Sequence, residues 1–240
     1  YLISANRFST DVFERAFCVP REKIIEVGYP RNDILYSERA DEIAKEVKKE
    51  FGIPEDKRVI LYAPTWRDDE FYGHAKYKFT LQLDLAKMQK ELGDEYIILL
   101  RTHYFIADVL DLSEYEGFAY NLSKYDDIAR LYLISDVLIT DYSSVFFDYA
   151  NLRRPMLFFT YDLEKYRSVL RGFYIDVEEE LPGPMLMTTD EVIGALQNIE
   201  KVVTEYSDKY TAFCDKYCAW EDGTAAKKVV ETVFSDKSNK

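Results

Sequence analysis

The chain has 240 residues, 48% of them hydrophobic and 15% aromatic, enough to bury one large core or two modest ones. Its 44 acidic residues against 31 Lys and Arg give a net charge of −13, which disfavours a nucleic-acid backbone as main partner, since that requires a strong positive field. No run approaches about 18 consecutive apolar residues, and the first residues show neither a basic stretch leading into an apolar one nor a small-residue cleavage site, so no membrane span or export signal is expected.

Residues 1–10, YLISANRFST, predict a buried strand and then a helix through residues 12–17, capped by Ser9 or Thr10. A chain that opens directly on a strand is expected to be a fragment. Residues 37–52 carry Ile43, Val47 and Phe51 at helical spacing and stop at Gly52, where a new domain is expected to begin. Strands are then predicted at 58–63, 96–100, near 118–122, at 137–140 and at 155–160. Helices are predicted between them at 83–93, 125–135 and 143–152. Strands of four to six mostly apolar residues separated by helices point to a parallel sheet covered on both faces, an α/β, Rossmann-like doubly wound domain. Further helices are expected at 190–203, around 204–218 and at 222–234, the last with Val229, Val230 and Val233 on one side. Residues 235–240 are expected to be a disordered tail.

Two features carry readings that stay open. Cys18, Cys214 and Cys218 form no C-x-x-C pair, and with two histidines in the chain they suggest neither a zinc cluster nor a disulfide framework. Cys214 and Cys218, one helical turn apart, read as reduced thiols on a partly buried helix face of a cytoplasmic protein. Between Arg153 and Arg171, basic residues interleave with Phe158, Phe159, Tyr161, Tyr166 and Phe173. This is either an anion- or membrane-facing strip or a buried strand followed by a helix with a basic outer face.

In open α/β sheets ligands bind beyond the carboxyl ends of the strands. The strand at 58–63 is followed by Pro64, Thr65, Trp66 and Arg67. The next is followed by Arg101, Thr102 and His103, and the strand at 137–140 by Asp141, Tyr142, Ser143 and Ser144. Polar and cationic groups on one edge suit a phosphorylated ligand. In TDYSSVFFD a strand turns at Asp141 into a helix whose first turn carries Ser143 and Ser144, an arrangement that either binds an anion or merely caps the helix. Asp148, one turn on, either accepts from ribose hydroxyls or lies exposed. His103 stands beside a fixed cation and reads as functional, whereas His74 lies in an ordinary polar, aromatic loop. With no Walker motif, no G-x-G-x-x-G and no acidic cluster arranged for Mg²⁺, neither a metal nor a cofactor is expected.

At GYPRND (28–33), YAPTWRD (62–68), RTHYF (101–105) and the long block 131–167, the sequence resembles the CDP-glycerol glycerophosphotransferase family of teichoic-acid synthesis. Residues 171–185 and 220–230 extend the likeness over nearly the whole chain. The resemblance implies a GT-B architecture of two Rossmann-like domains, with residues 1–50 ending the acceptor domain and 51–234 forming the donor domain. It implies a CDP-glycerol or CDP-ribitol donor contacting Arg31, Pro64, Thr65, Arg101, Thr102, His103, Ser143, Ser144 and Asp148, with His103 and Arg101 as the catalytic pair. A lipid-linked polyol-phosphate acceptor and a place at the cytoplasmic face of the membrane are implied in the same way. The family's Trp-His-Gly-Thr-Pro motif, whose histidine is the general base, lies upstream of the region matched here, so this chain is expected to bind donor without turning it over. Two alternatives stand beside this: a nucleotide-sugar glycosyltransferase of the same architecture, and a noncatalytic nucleotide-binding module.

Overall fold

The computed structural model describes residues 1–67, 71–72, 76–77, 81–102 and 110–234, of which 71–72 and 76–77 by their backbone alone. The chain opens with β1 (Leu2–Ser4), α1 (Arg7–Ala16) and β2 (Ile24–Glu26), the strands paired in parallel with Leu2 opposite Ile24. The cap of α1 is Asn6, not Ser9 or Thr10. Its extended backbone (φ −163°) leaves the side-chain oxygen free to accept from Ser9 N at 2.8 Å. Thr10 falls inside the first turn, buried, with its hydroxyl 2.9 Å from Ser4 Oγ and 3.0 Å from Asn6 O. A 3₁₀ stretch at Pro30–Tyr36 leads to α2 (Ala40–Glu50), which Gly52 terminates at φ +62°, the left-handed turn that favours glycine.

Then follow β3 (Arg58–Ala63), a small antiparallel pair β4 (Phe71–Tyr72) and β5 (Lys76–Tyr77), α3 (Leu85–Leu92), β6 (Tyr96–Leu100) and β7 (Ala119–Asn121). After them come α4 (Ile128–Ile134), β8 (Val137–Thr140), α5 (Val145–Tyr149), β9 (Met156–Phe159), α6 (Leu163–Lys165), α7 (Val177–Glu180) and β10 (Met185–Leu186). The large sheet is parallel throughout, in the order β10-β9-β8-β3-β6-β7. Numbered by their own succession, its strands run 3-2-1-4-5-6, the Rossmann order, which reverses between β3 and β8. The two-residue β10 is too short to leave a pattern in the sequence.

Alternate strand residues serve opposite faces. Val59, Leu61, Leu99, Leu138 and Phe158 pack under α2, α4 and the end of α9 (Ile199–Tyr217). Ile60, Tyr62, Ile98, Ile139 and Leu157 pack under α3 and α8 (Thr189–Gln197). Both faces are thereby dry, which is why the strands read as unbroken apolar runs. The predicted helix at 190–203 breaks at Asn198, and α10 (Ala225–Phe234) leaves Val230 55% exposed. Cys214 is buried, Cys218 half-buried, and the thiols point to the carbonyls of Ala150 and Phe147.

The basic residues of 153–171 do not form one strip. Arg154 turns inward and caps α4, donating to the carbonyls of Leu133 and Ser135 at 2.9 and 2.6 Å, while Arg167 pairs with Glu178. Among the described residues no helix is long and apolar enough to cross a membrane. His74, His103 and residues 235–240 lie outside the described residues.

Candidate functional site

Ala63 faces Thr140 across β3 and β8, and Tyr62 faces Leu100 across β3 and β6, so the segments beginning at Pro64, Arg101 and Asp141 leave the sheet side by side at the point where the strand order reverses. A buried carboxylate ties two of them together. Asp141 Oδ1 accepts from Thr65 N at 2.8 Å and from Tyr142 N at 2.6 Å. Arg67, only 4% exposed, crosses beneath this turn. It donates to both oxygens of Asp162 at 2.8 and 3.0 Å and to Thr65 O at 2.8 Å. Asp141 Oδ2 lies 2.9 Å from an Arg67 terminal nitrogen, outside hydrogen-bond direction, and that contact is electrostatic. Burial works against the Arg67 charge, but the Asp162 hydrogen bonds and the carboxylate of Asp141 more than reverse this, raising its pKa above the ordinary arginine value. Tyr142, Tyr161 and Tyr166 place their rings 5.1–5.4 Å from the guanidinium.

Above this support lies a cleft of about 460 Å³, lined by Pro64, Thr65, Trp66, Arg101, Thr102, Tyr142, Ser143, Ser144, Tyr166 and Arg171. Arg101 donates through one terminal nitrogen to Ser123 O and has no carboxylate within ion-pair reach among the described residues. Among the described residues its Nε is buried without a partner, and desolvation lowers its pKa from the ordinary value. Thr65 Oγ1 is likewise buried without a partner among the described residues. Ser144 occupies the cap position of α5, yet its hydroxyl makes no capping hydrogen bond. Simple capping therefore does not account for it. With α5 only five residues long, attraction for an anion here rests on side chains and free N–H groups more than on a helix dipole.

Two predicted contacts sit differently. Thr102 is 2% exposed; its hydroxyl lies 2.8 Å from Ser123 Oγ and its N donates to the same oxygen at 3.0 Å, so it anchors the turn beside the cleft. Asp148 is buried, and both its oxygens accept hydrogen bonds within the protein. It accepts from Arg31 Nε and a terminal nitrogen at 2.9 and 3.1 Å, because α5 faces the 29–32 segment. Arg31 and Asp148 line a second cavity, of about 650 Å³ and mainly apolar, between α1, the 141–144 turn with α5, and the loop at 172–175. Tyr142 and Ser144 line both cavities and mark where they meet.

The model of the family described as "CDP-Glycerol:Poly(glycerophosphate) glycerophosphotransferase" matches residues 1–235. The chain belongs to this family. A Bacillus subtilis teichoic acid poly(glycerol phosphate) polymerase is 53% identical over 98% of this chain and 31% of the relative. A Bacillus spizizenii teichoic acid poly(ribitol-phosphate) polymerase is 38% identical over 92% of this chain and 35% of the relative. The solved structure of the wall teichoic acid polymerase TagF superposes with a TM-score of 0.90 at 49% identity, covering 98% of this chain and 57% of that one. The chain thus spans about a third of the length of these curated relatives, and its fold is the GT-B-like one of TagF.

Within this chain, the structure gathers Pro64, Thr65, Arg101, Ser143 and Ser144 at one cleft, as expected from their places after the strands. His103, two residues after Arg101, lies outside the described residues. Arg67, one of the strand-end residues, and Asp162, which the sequence does not point to, shape the cleft floor. The available signal is an arginine placed directly after a fully apolar strand, since a buried arginine requires carboxylates. Among the described residues no three His, Cys, Asp or Glu side chains cluster so as to hold a metal.

Proposed function

We propose that this chain forms the donor-binding part of a transferase that moves glycerol phosphate from CDP-glycerol to the hydroxyl end of a teichoic-acid-type acceptor, releasing CMP. The observation that carries this reading is Arg101. Among the described residues this half-buried guanidinium has a buried Nε without a partner and no carboxylate within ion-pair reach, which is costly unless an anion completes it, and it opens onto the cleft shared by Thr65, Ser143 and Ser144. A diphosphate supplies that anion. Attack of the acceptor hydroxyl on the glycerol-bearing phosphorus requires mainly positioning and charge stabilisation. Arg101 and the Ser143–Ser144 turn offset the diphosphate charge, and His103, two residues after Arg101, donates a proton to the departing CMP phosphate. Glycerol phosphate is favoured over ribitol phosphate as the transferred group by the higher identity to the glycerol phosphate polymerase, 53% against 38%.

In the same reading, residues 1–50 end an acceptor domain and 51–234 form the donor domain. The whole protein works on a lipid-linked acceptor at the cytoplasmic face of the membrane. Calorimetric titration of the chain with CDP-glycerol, CDP-ribitol and a UDP-sugar tests the donor assignment. CDP-glycerol is expected to bind most tightly, and Arg101→Ala to weaken it by about tenfold or more, the loss of a charge-assisted contact. Preference for the UDP-sugar would favour the glycosyltransferase reading, and equal affinity of wild type and Arg101→Ala would remove Arg101 from the site.

A further inference from the structure

Asn32, 1% exposed, places one amide nitrogen between two carboxylates: Nδ2 donates to Asp148 Oδ1 and to Glu221 Oε1, each at 3.0 Å. The same Oε1 accepts from Tyr29 N at 3.0 Å. On the other side Asp148 grips Arg31 through two hydrogen bonds, and the Tyr29 ring centre lies 4.1 Å from the guanidinium carbon. Three segments distant in sequence therefore converge on one arginine, whose side chain remains 57% exposed beside the second cavity.

An ion pair that open contributes little by itself, because water screens it and a long side chain must be held still. What fixes it here is the buried layer behind. Donation from Asn32 to Oδ1 sets the plane of the Asp148 carboxylate, and Glu221 sets the plane of the Asn32 amide by taking its other proton. A network kept for stability alone would satisfy all its buried atoms, yet Asn32 Oδ1 and Glu221 Oε2 are buried without partners among the described residues. Glu221 also lies beside Asp148, and its burial raises its pKa from the ordinary carboxylate value. Such costs are met where geometry serves a site.

We propose that Asn32 and Glu221 are positioning residues for Arg31, holding it through Asp148 in the orientation that meets the donor's phosphate. This rests on the donor-binding reading of Arg31. In the full-length protein, donor KM, kcat and thermal midpoint are to be measured for Arg31→Ala, Asn32→Ala and Glu221→Ala, alone and combined with Arg31→Ala. Arg31→Ala is expected to raise the KM for CDP-glycerol by about tenfold. Asn32→Ala should raise it by about fivefold with kcat changed by less than about twofold, and Glu221→Gln, which keeps an acceptor oxygen, should retain more of the wild-type KM than Glu221→Ala.

The deciding readout is the cycle: once Arg31 is alanine, Asn32→Ala should add nothing further to KM. Effects that multiply, or a lowered thermal midpoint with unchanged KM, would overturn the positioning role while leaving the donor reading intact. If Arg31→Ala itself leaves KM unchanged, the donor reading of Arg31 falls and this inference falls with it. Should Asn32→Ala fail to fold, Glu221→Ala reads the same link one residue farther out.

Discussion

Arg67 and Arg101 both follow strands of the same sheet, yet the fold gives them opposite surroundings. Arg67 is enclosed by Asp141, Asp162 and three tyrosine rings, so its charge is neutralised within the protein. Arg101 has no carboxylate within ion-pair reach among the described residues, only the Ser123 carbonyl as side-chain hydrogen-bond partner, and it lines the cleft. Removing each should have a different signature. Arg67→Met leaves two carboxylates facing each other in a buried place and should cost about 3–5 kcal/mol in urea denaturation, the usual result of breaking a buried pair. A loss below about 1 kcal/mol would mean that water reaches Asp141 and Asp162 in the variant and that the floor of the cleft is less closed than described.

Element packing makes similar distinctions among glycines. β10 pairs with β9 by only two residues, and Gly183 just before it runs against the β9 backbone, so a Cβ there would stand 1.9 Å from Met156 O. Gly183→Ala must push the strand outward, weakening the Phe158 N to Pro184 O hydrogen bond of 2.9 Å, and is expected to cost about 1–3 kcal/mol. Gly194 lies inside α8 with nothing within 4 Å of an added Cβ. There alanine should stabilise by about 0.5–1 kcal/mol, through the smaller entropy lost on forming the helix. Thermal unfolding of the two variants side by side checks the pair; midpoints that move in the same direction would contradict the packing described for β10.

Across the whole molecule, the first and last segments are stitched together. Asn6 Nδ2 donates to Tyr217 O at 2.8 Å, Trp220 Nε1 to Glu26 Oε1 at 3.0 Å, and the Asp33 carboxylate caps α10 by accepting from Ala225 N and Ala226 N at 2.9 and 2.8 Å. Because the cap comes from a residue 192 positions away, α10 depends on the seating of the 26–33 segment. Asp33→Ala should cost about 1 kcal/mol. Hydrogen exchange should then speed up in residues 225–234 while β3 and β6 keep their protection, since the opening is local. Uniform acceleration throughout would show instead that α10 and the sheet open together.

The sequence by itself determined the sheet. Runs such as RVILYA and YIILL have no polar face to give to water, so they must lie between two layers of helices, and the polar residues after them must gather at one edge. Gly52 and the cleft residues Thr65, Arg101, Ser143 and Ser144 were legible for that reason. Tertiary structure decided the partners. The sequence shows that Asp148 is acidic and Arg31 basic, but not that α5 turns the first inward to meet the second, nor that Asn32 bridges Asp148 to Glu221. It shows an arginine at 67 without revealing that Asp162 waits beneath it. Strand and helix patterns arise from neighbours along the chain, whereas pairing of buried charges depends on which side chains reach the same desolvated space once the layers close.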